Sequence, residues 1–421
     1  MSAAPKSQAG ESQARPWLTV IGMGEDGLDG ISAAARTLIG GAALVVGGAR
    51  HLRLADGAIR GERMAWPHPM TDGYAAVLAW AGRDVVVLAS GDPFCFGVGS
   101  ALAALVGPGE MMCVPAVSAF ALAAGRLGWA QQDVATVSFC GRPMEALFPL
   151  LHHGARVLAL SADAGTPAVV AGLLVERGFG ASVLYVLEAL GGVGERIRAS
   201  TAAAAGVPGD IGALNMMAIE VVAGVGARVV PLSAGLPDEM FEHDGQLTKQ
   251  EVRAVTLAAL APCAGQVLWD VGAGSGSVSI EWCLLGSRKG GRGTRALAIE
   301  ARADRAARAA RNALGLGAVG VEVVVGQAPA VLTGLAAPDA VFVGGGLQVA
   351  GLLEAVWTAL RPGGRLVANA VALDTQGLLF DAQARLGGTL TRLAVERLDQ
   401  IGTMRAFRPA MAIVQWVVLK K

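Results

Sequence analysis

The stretch Val267-Leu-Trp-Asp-Val-Gly-Ala-Gly-Ser-Gly-Ser-Val-Ser-Ile280 decides the fold of the second half of the chain. A short apolar run ends at Asp270, three glycines follow at alternate positions, and a helical pattern begins near Ser277. This order predicts a strand, a tight turn and a helix N-terminus. Glycine allows a close approach to a ligand that a side chain would forbid, and a helix N-terminus offers unpaired N–H groups. The stretch therefore predicts a binding site for a nucleoside-like ligand.

The spacing of these glycines separates two classes of nucleoside ligand. A dinucleotide site has the spacing G-x-G-x-x-G, whereas this loop has G-x-G-x-G. The next predicted strand, Ala296–Glu300, ends in an acid that can accept hydrogen bonds from ribose hydroxyls in either class. Because the tighter loop gives less reason to expect a pyrophosphate, it favours S-adenosylmethionine. An ordinary tight strand–helix turn without a ligand is the alternative.

Length and composition narrow the class of protein. The 421 residues suffice for two or three domains. Lys+Arg and Asp+Glu number 34 each, so no net field favours nucleic acid. The chain is 53% apolar, but its longest apolar candidate, residues 211–230, contains Asn215, Glu220 and Arg228, which argues against a membrane span. The polar first 15 residues predict no secretory signal, and we expect a cytoplasmic protein without a membrane partner.

The spacing of cysteine and histidine predicts no metal site. The five cysteines contain no C-x-x-C pair and have no histidine at ligand spacing. We therefore expect neither structural zinc nor a disulfide framework.

Two α/β patterns follow each other along the chain. We predict a disordered tail at residues 1–16, a first domain at 17–230, a linker at 231–240 and a second domain at 241–421. The second domain reads as a run of βα units ending in two strands, near Thr391–Leu398 and Ala410–Leu419. Because little chain separates these two strands, they are expected to form an antiparallel hairpin at the edge of a parallel sheet.

A second glycine motif lies near the N-terminus. A predicted strand, Leu18–Ile21, leads into Gly22-Met-Gly24-Glu-Asp-Gly27, which has the G-x-G-x-x-G spacing. The next predicted strand ends at Gly47-Gly48 and carries no acid for a ribose. The dinucleotide fingerprint is therefore incomplete, and an NAD(P)-dependent oxidoreductase remains as an alternative function.

Downstream motifs give the first half a family resemblance. These are Gly91-Asp-Pro93 after a strand, Pro115-Ala-Val-Ser118, Gly165-Thr-Pro167, Glu188–Glu195 and Leu214–Ile219. In this order and spacing they resemble the tetrapyrrole methylase family (class III), and its precorrin C5-methyltransferase branch. The resemblance implies two α/β subdomains with S-adenosylmethionine bound between them. The donor contacts that it implies are Gly91, Asp92, Pro93, Ser118, Thr166 and Pro167.

Three positions depart from the pattern of that family. Glu25 stands where a proline is common, Cys140 where a histidine is usual, and Ala189 where an asparagine follows the acid. Cys140 rules out an imidazole-based role at its position.

The second half resembles another family. It resembles the precorrin C15-methyltransferase (decarboxylating) family, which has a class I fold with a seven-stranded mixed sheet. The segments that carry this resemblance are Gly235–Arg253, the glycine loop Gly272–Gly276, Gly326-Gln-Ala-Pro329 and Val343-Gly-Gly-Gly346. By this resemblance Glu300 takes the ribose of S-adenosylmethionine. Gln327 and Ala328 flank its adenine. The methionine end would be held by Thr248, Gly272, Ala273, Gly274, Ser275 and Gly276.

Joined in this order, the halves resemble fused enzymes of cobalamin biosynthesis. The resemblance implies methylation of precorrin-6B (6Y) at C5 and C15 with loss of the ring C acetate carboxyl, giving precorrin-8X. The substrate carries many carboxylates, so Arg405 and Arg408, in the loop predicted between the closing strands, are candidate contacts. We also expect a homo-oligomer. A non-catalytic tetrapyrrole carrier stays as an alternative, and an RNA methyltransferase is disfavoured by the zero net charge.

Overall fold

The computed structural model describes residues 16–107, 109–204, 209–287 and 293–421. The chain forms two compact units. The first runs to Arg142 and continues over His153–Ala227, and the second comprises Pro143–His152 and Arg228–Lys421. Residues 143–152 thus pack with the second unit although they interrupt the first in sequence. The predicted domain boundaries stay a prediction, and the tail predicted at 1–16 lies, apart from Pro16, outside the described residues.

The first unit begins with a parallel sheet of five strands in the order β3-β2-β4-β1-β5. The strands are β1 (Leu18–Met23), β2 (Leu44–Gly47), β3 (Glu62–Ala65), β4 (Val85–Ser90) and β5 (Met111–Val114). The helices between them are α1 (Ala33–Gly41), α2 (Ala49–Leu54), α3 (Asp72–Leu78) and α4 (Val98–Ala103). Strands β1 and β2 are buried along their whole length, as expected where helices cover both faces of a parallel sheet.

The same unit contains a second sheet, with the order β6-β7-β10-β8-β9. Its elements are α5 (Ala119–Leu127), β6 (Val134–Ser138), β7 (Arg156–Leu160), α6 (Thr166–Glu176), β8 (Val183–Glu188), β9 (Arg196–Thr201) and β10 (Asn215–Glu220). Only β6 and β7 pair in parallel, and the other pairs are antiparallel. The prediction of two α/β subdomains in the first half is therefore confirmed.

The backbone at Ala189 leads to a stability prediction. Ala189 has φ 45°, in the left-handed region, where a Cβ costs about 1–2 kcal/mol and asparagine is better tolerated. Ala189→Asn should therefore raise the free energy of unfolding by about 1 kcal/mol. Thermal unfolding of the full chain measures this. Ala34→Asn, at an exposed position of helix α1, is the control and should not stabilise. An Ala189→Asn variant no more stable than Ala34→Asn would contradict the prediction.

The second unit is built on one seven-stranded sheet with the order β13-β12-β11-β14-β15-β19-β16. Its helices are α7 (Gln250–Leu260), α8 (Ser277–Gly286), α9 (Ala303–Gly315), α10 (Leu352–Ala359) and α11 (Leu373–Leu386). Its strands are β11 (Val267–Val271), β12 (Arg295–Glu300), β13 (Val321–Val325), β14 (Ala340–Val343), β15 (Arg365–Ala370), β16 (Thr389–Leu393) and β19 (Ile413–Leu419). The first five pair in parallel and β19 is antiparallel to β15 and β16. The predicted mixed sheet of a class I methyltransferase is confirmed.

The closing strands differ from the prediction. Strands β16 and β19 do pair antiparallel, but a separate two-stranded hairpin, β17 (Glu396–Ile401) and β18 (Met404–Pro409), is inserted between them. The strand predicted near Thr391–Leu398 was therefore wrong, because it merged parts of β16 and β17. Arg405 and Arg408, predicted in a loop, lie on β18.

The core of the second unit lies on both faces of its sheet. Trp269 and Val271 pack on one face and Leu268 on the other, which is the period-two alternation of a strand. Short 3-10 helices also occur along the chain, at Gly27–Gly30, Gln131–Asp133, Met144–Leu150, Ala202–Ala204, Asp238–Met240 and Ala330–Leu332. Within the described ranges, every helix is too short or too polar to cross a membrane.

Candidate functional site

A cleft of about 1220 Å³ lies in the second unit, beside the carboxyl ends of β11, β12, β14 and β15. Strands β11 and β14 are neighbours in the sheet. After β11 the chain leads to β12, towards one edge of the sheet, and after β14 it leads to β15, towards the other edge. Ligands of open α/β sheets bind at such a point. The predicted site residues that line the cleft are Thr248, Gly272, Ala273, Gly274, Glu300, Gln327, Ala328 and Arg408. Ser275 is a buried residue of the loop itself, Gly276 precedes α8, and Arg405 does not line the cleft.

The glycine loop needs glycine at all three positions. Gly272, Gly274 and Gly276 have φ of 76°, 58° and 77°, in the region that side chains rarely adopt. A Cβ on Gly272 would lie 3.1 Å from the backbone nitrogen of Gly345, which follows β14. One on Gly274 would lie 3.2 Å from the carbonyl oxygen of Gln246. The loop is therefore enclosed by backbone from two other segments that line the same cleft.

Glu300 connects the end of β12 to this loop. Its carboxylate accepts hydrogen bonds from the backbone nitrogens of Gly274 and Arg302, each at 2.9 Å. The residue is buried but lines the cleft. Each carboxylate oxygen can accept more than one hydrogen bond, so Glu300 can bind ribose hydroxyls while it holds the loop.

Asp270 is a buried carboxylate with one unused oxygen. Its Oδ2 accepts from the backbone nitrogen and hydroxyl of Ser279, at 3.0 and 2.7 Å. Its Oδ1 has no hydrogen-bond partner among the described residues. Burial raises the pKa of Asp270 to about 6, and the nearby charge of Glu300 adds to the shift. A cationic or hydrogen-bonding ligand in the cleft would offset the cost of this burial.

Ser275 provides a second unused polar atom at this site. Its hydroxyl is buried and has no partner among the described residues. Buried polar groups without a partner are rare in folded proteins, and a ligand or a water molecule commonly satisfies them. Together with Asp270 Oδ1, the Ser275 hydroxyl fits a polar ligand seated on the glycine loop.

The far end of the cleft carries arginines on the inserted hairpin. Arg397 and Arg408 are directly opposed across β17 and β18, and both line the cleft. Arg397 binds Glu251 with two hydrogen bonds, and Arg408 lies 3.0 Å from Asp399. These pairs are exposed and therefore weak, so an anionic ligand can compete for the guanidinium groups.

Arg405 has a different position from Arg408. It pairs with Gln400, and residues at odd separation along a strand project from opposite faces. The structure thus brings only Arg408 of the two predicted arginines to the cleft.

In the first unit, backbone atoms of other segments occupy the space beside Gly22 in the N-terminal glycine motif. A Cβ on Gly22 would lie 1.9 Å from the carbonyl oxygen of Gly91 and 2.5 Å from the backbone nitrogen of Ala116. Glycine is needed at 22 because the segments that follow β4 and β5 meet β1 there. Gly91 has φ 53°, and a Cβ on it would lie 3.1 Å from the Cα of Ser118. The predicted residues Gly91 and Ser118 are therefore neighbours.

The other predicted residues of the first half hold local turns. Asp92 Oδ1 accepts from the backbone nitrogen of Phe94 at 2.8 Å, and Pro93 is buried next to it. Ser118 caps α5 by accepting from Ala121 at 3.1 Å. Thr166 and Pro167 are buried in the first turn of α6.

Two unused polar atoms lie close to Thr166. The hydroxyl of Thr166 accepts from the backbone nitrogens of Ala162 and Asp163. Next to this turn, Ser161 Oγ and Asn215 Oδ1 are buried without a partner among the described residues, although the amide nitrogen of Asn215 donates to the carbonyl of Asp163 at 3.1 Å. As in the second unit, unused buried polar atoms accompany the residues predicted to bind a ligand.

A polar cluster that the sequence did not predict lies at the carboxyl ends of β1, β2 and β4 in the first sheet. Arg50 contacts Glu25, and its Nη2 lies 2.9 Å from both His51 Nε2 and Ser90 Oγ. A guanidinium only donates, so His51 Nε2 is the acceptor and its proton is on Nδ1. Burial and the charge of Arg50 lower the pKa of His51 to about 4, which keeps the ring neutral. The chain segments after β2 and β4 diverge here, as at a ligand crevice.

Sequence reasoning also missed buried polar side chains that surround the glycine loop. Arg253 and Glu281 form an ion pair inside the second unit, and Asn312 bonds to Glu242 and Ser275. The available signal was Glu281, the one charged residue of the segment that forms α8, because a buried charge needs a partner.

Metal-ligating side chains do not cluster in the part of the chain that the structure describes: no group of three His, Cys, Asp or Glu could hold an ion there.

Comparison with known families divides the chain in the same way. Residues 18–206 match the tetrapyrrole (corrin/porphyrin) methylases, and residues 239–420 match a precorrin methyltransferase domain. Each match covers one of the two candidate ligand sites.

Similar proteins extend over nearly the whole chain. A protein named precorrin-6Y C(5,15)-methyltransferase [decarboxylating] from Sinorhizobium sp is 51% identical over 95% of this chain and 96% of its own. A Mycobacterium tuberculosis (strain CDC 1551 / Oshkosh) protein of the same name is 39% identical over 96% of this chain and 100% of its own. The solved C-terminal domain of precorrin-6Y C5,15-methyltransferase from Rhodobacter capsulatus is 43% identical, covers 45% of this chain and 100% of its own, and has a TM-score of 0.42. The chain therefore belongs to the family of precorrin-6Y C5,15-methyltransferases (decarboxylating).

Proposed function

We propose that this enzyme transfers two methyl groups from S-adenosylmethionine to precorrin-6B (6Y) and removes one carboxyl group as CO2, giving precorrin-8X in cobalamin biosynthesis. The first unit would methylate C5. The second unit would methylate C15 and release the CO2 from the ring C acetate. One observation carries this proposal: each unit holds its own set of predicted donor residues together with buried polar atoms that have no hydrogen-bond partner among the described residues.

The residues of the second unit fit the methyl donor. Its ribose hydroxyls would bind Glu300, its adenine would be flanked by Gln327 and Ala328, and its methionine end would lie against the glycine loop and Thr248. The donor also carries positive charge, which is compatible with the unused oxygen of Asp270. S-adenosylmethionine supplies an electrophilic methyl group on a sulfonium. The protein mainly aligns the acceptor, and such alignment contributes up to about 7–11 kcal/mol.

The bonds that change need little acid–base help from the protein. In each methylation a carbon–carbon bond forms at a ring-linking carbon, a carbon–sulfur bond breaks, and a proton leaves the methylated carbon. In the decarboxylation the bonding electron pair of the lost carboxyl passes into the conjugated macrocycle, which then takes up a proton.

The test of the proposed function is product mass spectrometry. The full chain is incubated with precorrin-6B and S-adenosylmethionine that carries a deuterated methyl group. The expected product has gained two labelled methyl groups and lost one CO2. A tetrapyrrole recovered unchanged would favour the carrier alternative. Reduction or oxidation of a substrate that depends on NAD(P)H would favour the oxidoreductase, which the filled glycine motif around Gly22 already disfavours.

The position of Arg408 predicts a selective defect in substrate binding. Arg408→Ala should raise the KM for the tetrapyrrole in C15 methylation about 10-fold, because a charge-assisted hydrogen bond to a carboxylate is lost. The KM for the methyl donor should not change. Arg405→Ala is the matched control, since Arg405 is on the same strand but outside the cleft. Equal effects of the two substitutions would contradict a contact specific to Arg408.

The proposal also covers the number of donor sites, the absence of a metal ion, the partners, the location and the assembly of the protein. We propose two donor sites per chain, no metal ion, no nucleic-acid or membrane partner, a cytoplasmic location and assembly as a homo-oligomer. The equal numbers of acidic and basic residues support the absence of a nucleic-acid partner.

A further inference from the structure

A segment of the second unit, residues 235–248, lies against the glycine loop, and we call it the cover segment. It precedes α7 and contains one short 3-10 helix, Asp238–Met240. Its end, residues 245–248, lines the cleft. The carbonyl oxygen of Gln246 lies 3.2 Å from the position that a Cβ on Gly274 would occupy. The cover segment and the glycine loop therefore form two adjacent walls of the candidate donor site.

An ion pair buried under the cover segment holds both of its ends. Arg253 on α7 is fully buried. Its guanidinium donates to the carbonyl oxygens of Leu236 and Thr248 and binds the carboxylates of Asp238 and Glu281. Leu236 is the second residue of the segment and Thr248 is its last. One side chain thus ties together two ends that are twelve residues apart.

Glu281 completes this attachment from the helix that follows the glycine loop. Its two carboxylate oxygens accept from the backbone nitrogens of Gly235 and Leu236, at 2.6 and 3.0 Å. Glu281 is 1% exposed. A buried ion pair of this kind adds little net stability compared with apolar residues of similar size. The presence of this pair therefore points to a role in geometry.

Asn312 forms an independent attachment in the middle of the cover segment. Its amide bonds to the backbone nitrogen and carbonyl of Glu242, at 2.9 and 3.0 Å. The same amide nitrogen donates to the carbonyl oxygen of Ser275 at 2.9 Å. Asn312 is buried. It joins the cover segment directly to the glycine loop.

We propose that Arg253 and Asn312 are positioning residues that hold the cover segment against the glycine loop and thereby set the affinity of the second unit for its adenosyl ligand. The inference rests on the proposed function, because it assumes that S-adenosylmethionine binds at this loop. Neither side chain needs to touch the ligand. Their effect passes through the backbone of Thr248 and Ser275, which they fix.

Two sets of variants test the inference in the full chain. Arg253→Met/Glu281→Leu replaces the ion pair by apolar residues of similar size, a change that buried pairs often tolerate. Asn312→Asp keeps the shape of the side chain but places an oxygen opposite the carbonyls of Glu242 and Ser275. The matched control is Arg311→Ala, which removes an exposed pair between α9 and Glu242 on the same segment.

The first readout is the affinity for S-adenosylhomocysteine by isothermal titration calorimetry. The wild type should bind at two sites. In both test variants one site should weaken about 10- to 100-fold, the scale expected when binding groups shift by about 1 Å. The other site, and both sites of Arg311→Ala, should keep the wild-type affinity.

The second readout separates positioning from a general loss of structure. The KM for S-adenosylmethionine should rise in C15 methylation and stay unchanged in C5 methylation by the same sample. Wild-type affinity at both sites in a folded Asn312→Asp variant would overturn the inference, whether or not the double variant folds. A wild type that binds no S-adenosylhomocysteine would instead overturn the proposed function.

Discussion

Glu300→Ala is expected to abolish C15 methylation and CO2 release while C5 methylation stays measurable. The substitution removes an acceptor for the ribose hydroxyls and also the bonds to the backbone nitrogens of Gly274 and Arg302. Hydrogen bonds to a charged group contribute about 1.5–3 kcal/mol each. The loss of two such bonds to the ribose hydroxyls corresponds to donor binding that is about 100-fold weaker or worse.

Product-resolved mass spectrometry of the full chain measures this result. Glu322→Ala is the control, because Glu322 is an acid on the neighbouring strand with an exposed ion pair to Arg295. It should leave all three reactions unchanged. Gly274→Val should reproduce the Glu300→Ala defect, since its side chain meets both an unfavourable φ and the Gln246 carbonyl. Gly377→Val, at a helical glycine with open space around it, should not. Loss of all reactions together in a folded Glu300→Ala variant would contradict separate sites.

Gly91→Val is expected to have the opposite effect, a loss of C5 methylation with C15 methylation retained. Gly91 has φ 53°, and a side chain there would press on the carbonyl of Val117 and the Cα of Ser118. The chain segments that carry the predicted donor contacts would be forced apart. A displacement of about 1 Å at such a site can reduce the rate about 100-fold.

The control for Gly91→Val is Gly125→Val. Gly125 is exposed on α5, and a Cβ there meets nothing within 4 Å. C15 methylation by the same sample shows whether the second unit remains folded. If Gly91→Val retained C5 methylation at the wild-type rate, the assignment of the first donor site to this segment would be wrong.

The sequence predicted the architecture of both halves because local signals were consistent. Buried strands such as β1 and β4 consist mostly of apolar residues, and the glycine loop after β11 has a spacing typical of one ligand class. The acid at Glu300 occurs at the end of the next strand, where the structure brings it to the loop. Short-range patterns of this kind are readable without tertiary information.

The inserted hairpin could not be predicted in the same way. Strands β17 and β18 are exposed on most positions and carry charged residues next to apolar ones, so they lack the alternation of a half-buried strand. Their two-residue turn contains Gly402, but a turn alone does not place a hairpin over a cleft. The position of Arg408 in the cleft therefore required the structure.

Buried polar pairs were the other feature that the sequence left open. Arg253 and Glu281 are 28 residues apart, and Asn312 and Glu242 are 70 apart. Periodicity shows that a position is buried but not which distant residue satisfies its polar group. The cluster of Glu25, Arg50 and His51 was missed for the same reason.

We propose that one chain holds two independent sites for the same methyl donor. Titration of the full wild-type chain with S-adenosylhomocysteine tests it most directly, with Gly91→Val and Glu300→Ala titrated alongside. Two sites per chain are expected in the wild type, with a different one lost or weakened in each variant. A single site per chain in the wild type, or loss of the same site in both variants, would contradict the account.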